Sequence, residues 1–349
     1  MEHWCERFRI AGAPIDETAL LWAINKIHPH VAHLRELYPN DPPTFFDSLT
    51  AIGFLLFAEA GVDLGIIEAG IGARLDATLV CRAIVACVTS IELEHTDKLG
   101  PTLEDIAREK AAVIRRQKPV VIGPLTPAAQ SVLIETAQAR LAPFARLGHE
   151  FHAEVKAQKH TGSTLLYEGH GQSLQLRLAQ PGPYLAMNGA LALECVIQTQ
   201  LIPTHEALDA AQKALPRTRL PARLEIFKTN PVVLVDAAHT ALSISQLSAV
   251  LETLDTNGFL AVLSVAKTKD VEVIFSPLRS IVSRVIATQA DPSRSISAQL
   301  LAARLAKLWP REAIRAVDQP THALTLALEE QEKCSVGVCV TGSVYLAGM

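Results

Sequence analysis

Apolar residues fall along the first half of the chain in two alternating patterns. Residues 44–60 repeat them at helical spacing, whereas 62–68 (VDLGIIE) and 84–89 (IVACVT) are short continuous runs. Runs of that length, bounded by glycine and polar residues, predict buried strands. The segment PTLEDIAREKAAVIRR opens with Thr102 and Asp105 at capping-box spacing and predicts a helix. KPVVIG then predicts a strand, and 127–141 a helix. Strands and helices in alternation argue for a parallel, doubly wound sheet in an α/β domain.

The pattern changes near residue 150. HAEVKAQ, STLLYEG and SLQLRLA alternate apolar and polar positions with turn residues between them, which predicts a small antiparallel insert. Helices are expected at 185–200 and 205–215. LPRTRLPARLEI, with two prolines and three arginines, reads as a linker. Alternation then restarts through PVVLVDAAH, a helix at 241–254, FLAVLSV, RVIAT, helices at 297–308 and 320–332, and SVGVCVTG. This is a second α/β domain, Rossmann-like in pattern. The expected division is residues 1–215, a linker at 216–222, and 223–349.

Composition narrows the function classes. The chain has 349 residues, 49% hydrophobic and 19% charged, enough for two cored domains. A net charge of −4 gives no electrostatic footprint for nucleic acid. The longest apolar stretch, AIGFLLFAEAGV, is interrupted by Glu59 and is too short to span a membrane. MEHWCERFRI lacks the apolar core of a signal peptide. Six cysteines form no C-x-x-C pair, which suits reduced thiols in a cytoplasm.

Several positions could carry chemistry. Glu68 ends the run 62–68 and precedes Gly70 and Gly72, a placement suited to a hard cation bridged to nucleotide phosphates. It reads equally as a surface carboxylate after a strand. No G-x-x-x-x-G-K-[ST] phosphate loop occurs anywhere in the chain. His95 lies just beyond the run 84–89 and could converge with Glu68, or could be a loop histidine. Lys110 sits on a predicted helix surface; only as a carbamate could it serve a cation. Asp236 and His239 end the run PVVLVDAAH, where Asp236 could instead cap a helix. Arg223, Lys269 and Asp270 would add charge at a cleft between the domains. His28, His30 and His33 read as a solvated helix start, with Pro29 among them and no acids nearby, and receive no function.

Together these segments resemble the folylpolyglutamate synthase/dihydrofolate synthase family of the Mur-ligase-like superfamily, over nearly the whole chain. ERFRIAGAPI is similar to its ER-x-R-I-x-G-x-P-I segment, and IEAGIGARLDAT to its E-x-G-x-G-G-R-L-D-A-T-N block. TSIELEHTDKLGPTLEDIAREKAAVI, PARLE, VDAAH, KTKD and VTGSVYLAG follow in family order. The resemblance implies a Mur-ligase-like central domain, N-terminally truncated, followed by a C-terminal α/β domain. Its implied reaction phosphorylates a folate or dihydropteroate carboxylate with ATP and then forms an amide with L-glutamate. It implies that Glu68 and His95 hold Mg²⁺, with Lys110 carbamylated near a second metal. Lys110, His95 and Arg74 would be catalytic. Arg223, Asp236, His239, Lys269 and Asp270 would bind ATP. The expected form is a cytoplasmic monomer acting on small molecules, away from nucleic acid and membrane.

Departures from the family pattern accompany the match. Its G-T-N-G-K-G-S loop and S-P-H segment are absent, with Met1 aligning immediately after the latter. Glu94, Ala73, Leu79, Thr240–Ala241 and Tyr184–Leu185 replace Asp, Gly, Asn, Asn-Pro and His-Gln. The missing loop implies weakened phosphate binding and a missing strand beside 62–68. The alternative reading is a catalytically inactive paralogue that binds folate or nucleotide.

Overall fold

The computed structural model describes residues 3–254 and 256–349. By contacts the chain divides into two compact units. Of the described residues, one holds 3–150 with 194–202; the other holds 151–193 with 203–349.

The first unit opens with a hairpin of β1 (Arg9–Ile10) and β2 (Ala13–Pro14). Helix α1 (Glu17–Leu37) starts where Asp16 accepts the Ala19 amide. Helix α2 (Phe45–Glu59) starts at the Thr44–Asp47 capping box. The two pack through Ala23, Leu49, Ile52 and Leu56 against Phe8. His28, His30 and His33 are exposed as expected, but they lie inside α1 rather than at its start, because Asp16 supplies the cap twelve residues or more upstream.

Next come β3 (Ala86–Val88), α3 (Thr96–Leu99), α4 (Leu103–Lys110), β4 (Val120–Ile122), α5 (Pro127–Ala139) and β5 (Phe144–Arg146). The strands form a parallel sheet in the order β3-β4-β5. Val88, Val120 and Ile122 pack against Ile114, Leu133 and Ala137. The Thr102–Asp105 capping box forms as predicted, but α4 ends at Lys110 and tightens into a 3₁₀ turn at Ala111–Val113.

The predicted strand 62–68 is not formed. A strand needs a backbone ladder, and β3 pairs only with β4 among the described residues. The run therefore joins no ladder and none of its residues is fully buried; Ile66 is 92% exposed.

The second unit begins with the predicted antiparallel meander, β6 (His152–Lys159), β7 (Gly162–Gly169) and β8 (Gln172–Leu178). By contacts this insert groups with the C-terminal half of the chain. Gln158 explains part of that: its amide donates to Thr253 Oγ1 at 2.7 Å, and its carbonyl accepts the Gly182 amide. Helix α6 (Pro183–Thr199) follows, its residues from 194 onward belonging to the first unit, then α7 (Thr204–Ala214).

The remaining elements are β9 (Glu225–Thr229), β10 (Val232–Val235), α8 (Ala241–Leu251), β11 (Phe259–Leu263), α9 (Val271–Phe275), β12 (Val282–Ala287), α10 (Ala298–Leu305), β13 (Ile314–Ala316), α11 (Pro320–Cys334), β14 (Gly337–Thr341) and α12 (Val344–Ala347). Their sheet runs β13-β12-β11-β14-β10-β9, parallel except for the antiparallel edge strand β9. Phe259, Ala261 and Leu263 of β11 enter one core cluster, and Leu260 and Val262 enter another. Burial on both faces is why these strands read as continuous apolar runs.

The segment expected as a linker is built into this unit. Gln180 donates to the carbonyls of Leu220 and Arg223 and accepts the Leu220 amide, while Leu224 is wholly buried.

Candidate active site

In the first unit, one carboxylate folds the loop after 62–68. Asp76 Oδ2 accepts the Gly70 amide at 2.8 Å and the Ile71 amide at 3.3 Å, and Oδ1 accepts the Thr78 amide at 2.9 Å. Gly72 sits at φ +67°, and a Cβ there would lie 2.8 Å from Leu99 Cδ2. The backbone angle favours glycine, and a Cβ would have to displace the tip of Leu99. Sequence reading passed over Asp76; the signal is the Asp-x-Thr spacing of an Asx turn.

A solvent-open cavity of about 160 Å³ lies beside this loop. Gly70, Gly72, Ser90, Glu92, Glu94, His95 and Lys110 line it. Of the residues singled out from sequence, His95 and Lys110 therefore meet here. Lys110 closes α4, and His95 precedes α3 at φ +53° with no side-chain capping bond. Glu68 is exposed two residues before Gly70 and is not among the lining residues. Arg74 is turned to Glu109, its Nε donating to Oε1 at 2.8 Å. Ser90 and Glu92 went unremarked in the sequence, although they sit in the TSIELEHT block. Among the described residues no three His, Cys, Asp or Glu side chains stand close enough to hold a metal by themselves. Ser90, Glu92 and Glu94 nonetheless offer oxygen donors of the kind Mg²⁺ takes. Mg²⁺ usually keeps water and phosphate oxygens in its other positions. The lining therefore fits a magnesium ion that arrives with phosphate.

In the second unit, the loops after β10, β11 and β14 are joined at the carboxyl ends of neighbouring strands, where ligands of open α/β sheets gather. The Gly342 amide donates to Ala238 O at 2.9 Å, and the Ser264 amide to Thr341 O at 3.3 Å. At φ +95°, a Cβ on Gly342 would stand 2.3 Å from Ser264 O.

Asp236 lies at this junction, 3% exposed. Its carboxylate accepts the Leu224 amide at 2.7 Å, the Ala238 amide at 2.8 Å and the Tyr184 hydroxyl at 3.0 Å. Burial raises its pKa above the ordinary carboxylate value. The two amides, the phenol and Arg223 oppose that shift. Burial also pushes up the Tyr184 phenol, with Asp236 adding to the rise, and the nearby Cys339 thiol. Asp236 does not cap a helix; Thr240 caps α8. Through Leu224 it holds the backbone beside Arg223, an exposed residue between Ala222 at φ +54° and Leu224 at φ +47°.

His239 Nδ1 lies 2.9 Å from Ala237 O. A carbonyl only accepts, so Nδ1 carries a proton. Asp270 caps α9 through the Glu272 and Val273 amides, and Lys269 precedes it at the same loop.

Comparison with known proteins divides the chain later than its contacts do. The Mur ligase middle domain matches residues 21–196, and the Mur ligase glutamate ligase domain matches 222–344. The dihydrofolate synthase/folylpolyglutamate synthase of Mycobacterium tuberculosis is 29% identical over 98% of this chain and 76% of its own length. The Escherichia coli protein of that name is 32% identical over 85% of this chain and 66% of its own. Among solved structures, M. tuberculosis folylpolyglutamate synthase complexed with ADP and AMPPCP superposes with a TM-score of 0.90 at 30% identity. That match covers 99% of this chain and 80% of the solved one. The chain belongs to the folylpolyglutamate synthase/dihydrofolate synthase family of the Mur ligase superfamily.

Proposed function

We propose that this chain is an ATP-dependent ligase that joins L-glutamate to a folate or dihydropteroate carboxylate through an amide bond. The observation that carries the reading is the ordered match of both the middle and the glutamate ligase domains along one chain. The names and bound nucleotides of its relatives support the substrate class. E. coli FolC, for example, was solved with DHPP and ADP and is 27% identical over 99% of this chain.

The chemistry has two steps. The γ-phosphoryl group of ATP passes to a carboxylate oxygen of the folate, giving an acyl phosphate and ADP. The amino nitrogen of glutamate then attacks the acyl carbon, phosphate leaves, and the nitrogen loses a proton. Both steps gather negative charge, which positioned cations and donors must offset. Arg74 is assigned to that charge directly in the first unit, where His95 and Lys110, the latter as a carbamate, would act through a magnesium ion. Arg223, Asp236, His239, Lys269 and Asp270 are assigned to the nucleotide, Asp236 by holding the segment that carries Arg223. Glu68, His95 and Lys110, with Ser90, Glu92 and Glu94, are the residues that would hold magnesium. A magnesium ion bound there supplies positive charge to the transferring phosphoryl group. The Lys110 carbamate, the two-domain division near residue 216, and a monomeric cytoplasmic state belong to the same proposal.

The test is ATP- and glutamate-dependent product formation by the 349-residue chain, with tetrahydrofolate and dihydropteroate assayed separately. One ADP and one phosphate released per amide formed is the expected result. The departures at Thr240–Ala241 and Tyr184–Leu185 from the family pattern favour the second reading, a binding protein without ligation. Nucleotide and folate binding without amide product would establish that reading instead.

A further inference from the structure

Within the first unit, Glu109 joins the glycine loop to the helix that carries Lys110. Its Oε1 accepts the Arg74 Nε hydrogen at 2.8 Å, and its side chain is 21% exposed against 61% for Arg74. A Cβ on Gly72 would lie 3.7 Å from Glu109 Cβ and 3.8 Å from Oε2, so the loop backbone rests directly on this side chain. Ala73, between the two contacts, is 1% exposed. Glu109 is the penultimate residue of α4, and Lys110, the last, lines the cavity. We propose that Glu109 is a positioning residue for the ligation reaction, holding Arg74 so that its two terminal nitrogens meet oxygens of the transferring phosphoryl group. The inference rests on the ligase reading and on the charge role that Arg74 has in it.

The geometry selects one edge of the guanidinium. That group can bind two oxygens side-on, through Nε and one terminal nitrogen, or end-on through Nη1 and Nη2. Glu109 takes Nε with a single oxygen, and among the described residues Arg74 makes no other hydrogen bond. The end-on edge therefore stays open, and its two parallel donors match a pair of phosphoryl oxygens. An arginine already held at Nε also gives up less side-chain freedom when the ligand arrives. The task of Glu109 in this arrangement is reach rather than charge. Its negative charge opposes an incoming phosphate, while the oxygen at 2.8 Å does the orienting. An amide oxygen in its place accepts the same hydrogen without that repulsion.

The experiment is a double-mutant cycle across Glu109 and Arg74 on the intact chain, read in kcat/KM for ATP. Glu109→Ala should lower it about tenfold or more, the scale of a misplaced reacting group, with Tm unchanged. Glu109→Asp keeps the charge but draws the oxygen back by one methylene, and should fall likewise. Glu109→Gln keeps the reach without the charge, and should retain most of the activity. In an R74Q background none of the three should lower kcat/KM further. Should E109A fail to fold, E109D and E109Q decide. Losses that add to that of R74Q, an E109D as active as wild type, or an E109Q as impaired as E109A would overturn the proposal. A wild type that forms no amide defeats the ligase reading itself, and the cycle is then read in the dissociation constant for ATP with Mg²⁺. Non-additive losses of affinity there uphold the orienting contact; additive losses, or no ATP binding, overturn it.

Discussion

Tyr184 donates its hydroxyl hydrogen to Asp236 Oδ2 at 3.0 Å, which joins the first turn of α6 to the end of β10. Replacing Tyr184 with Phe leaves a buried carboxylate short of one donor. A lost partner of this kind costs about 1–3 kcal/mol. Urea unfolding should show a lower midpoint at an unchanged m-value; an unchanged midpoint would show that the bond contributes nothing.

Asp236 also predicts a pH dependence. Burial raises its folded pKa above the unfolded value, so its favourable contribution is fully present below about pH 4, the ordinary Asp value. That contribution is lost as pH rises through the raised value, because charge then develops in a buried place. Asp236→Asn cannot titrate. The stability of wild type relative to D236N should therefore decline as pH rises from about 4. A pH-independent difference would remove the argument.

Gly72 and Gly61 separate backbone strain from steric contact. Both have positive φ, at +67° and +61°, but only Gly72 has a neighbour where a Cβ would go. Gly61→Ala should cost about 1–2 kcal/mol from strain. Gly72→Ala should cost more and displace Leu99, with ligase activity falling further than stability. Equal costs for the two would show that the Leu99 contact yields without penalty.

For Arg74 the prediction is a dissociation between fold and function. Its pair with Glu109 is largely solvent-exposed on the arginine side, so Arg74→Gln should change stability by less than about 1 kcal/mol. Activity should fall about 10²-fold as phosphoryl charge loses a cation. A variant with full activity would remove Arg74 from the catalytic set.

His95→Ala and Lys110→Met probe the cavity itself. Each should retain a cooperative thermal transition while kcat falls about 10²-fold or more. Lys110→Arg separates charge from carbamate chemistry, since it keeps the former and forbids the latter. Full activity in Lys110→Arg would exclude the carbamate.

Much of this architecture was legible because it is local. The Thr102–Asp105 box, the alternation in β6–β8 and the apolar runs of β10, β11 and β14 depend on neighbours in sequence. Residues 62–68 read as a strand because their composition suits one, but strand formation is decided by a pairing partner that composition does not encode. The site divided similarly. His95 and Lys110 reached one cavity because the turns that carry them lie within a short stretch of chain. Asp236 was placed at the right strand end, yet its partners Tyr184 and Leu224 come from distant positions that no spacing rule connects.

The paired left-handed residues Ala222 and Leu224 have a consequence for how variation at this site should be interpreted. Neither is glycine, so both conformations are held against local preference, Leu224 by its burial and its bond to Asp236, Ala222 by the bond its amide gives Glu225 and the one its carbonyl accepts from Ala237. Positions 184, 224 and 236 then form one unit of heredity: the effect of a substitution at any of them depends on what occupies the other two. A mutational scan would score each as independently intolerant, while paired substitutions should depart from additivity by about 0.5–3 kcal/mol. A graft of the Arg223 loop into another scaffold would need all three positions to travel together.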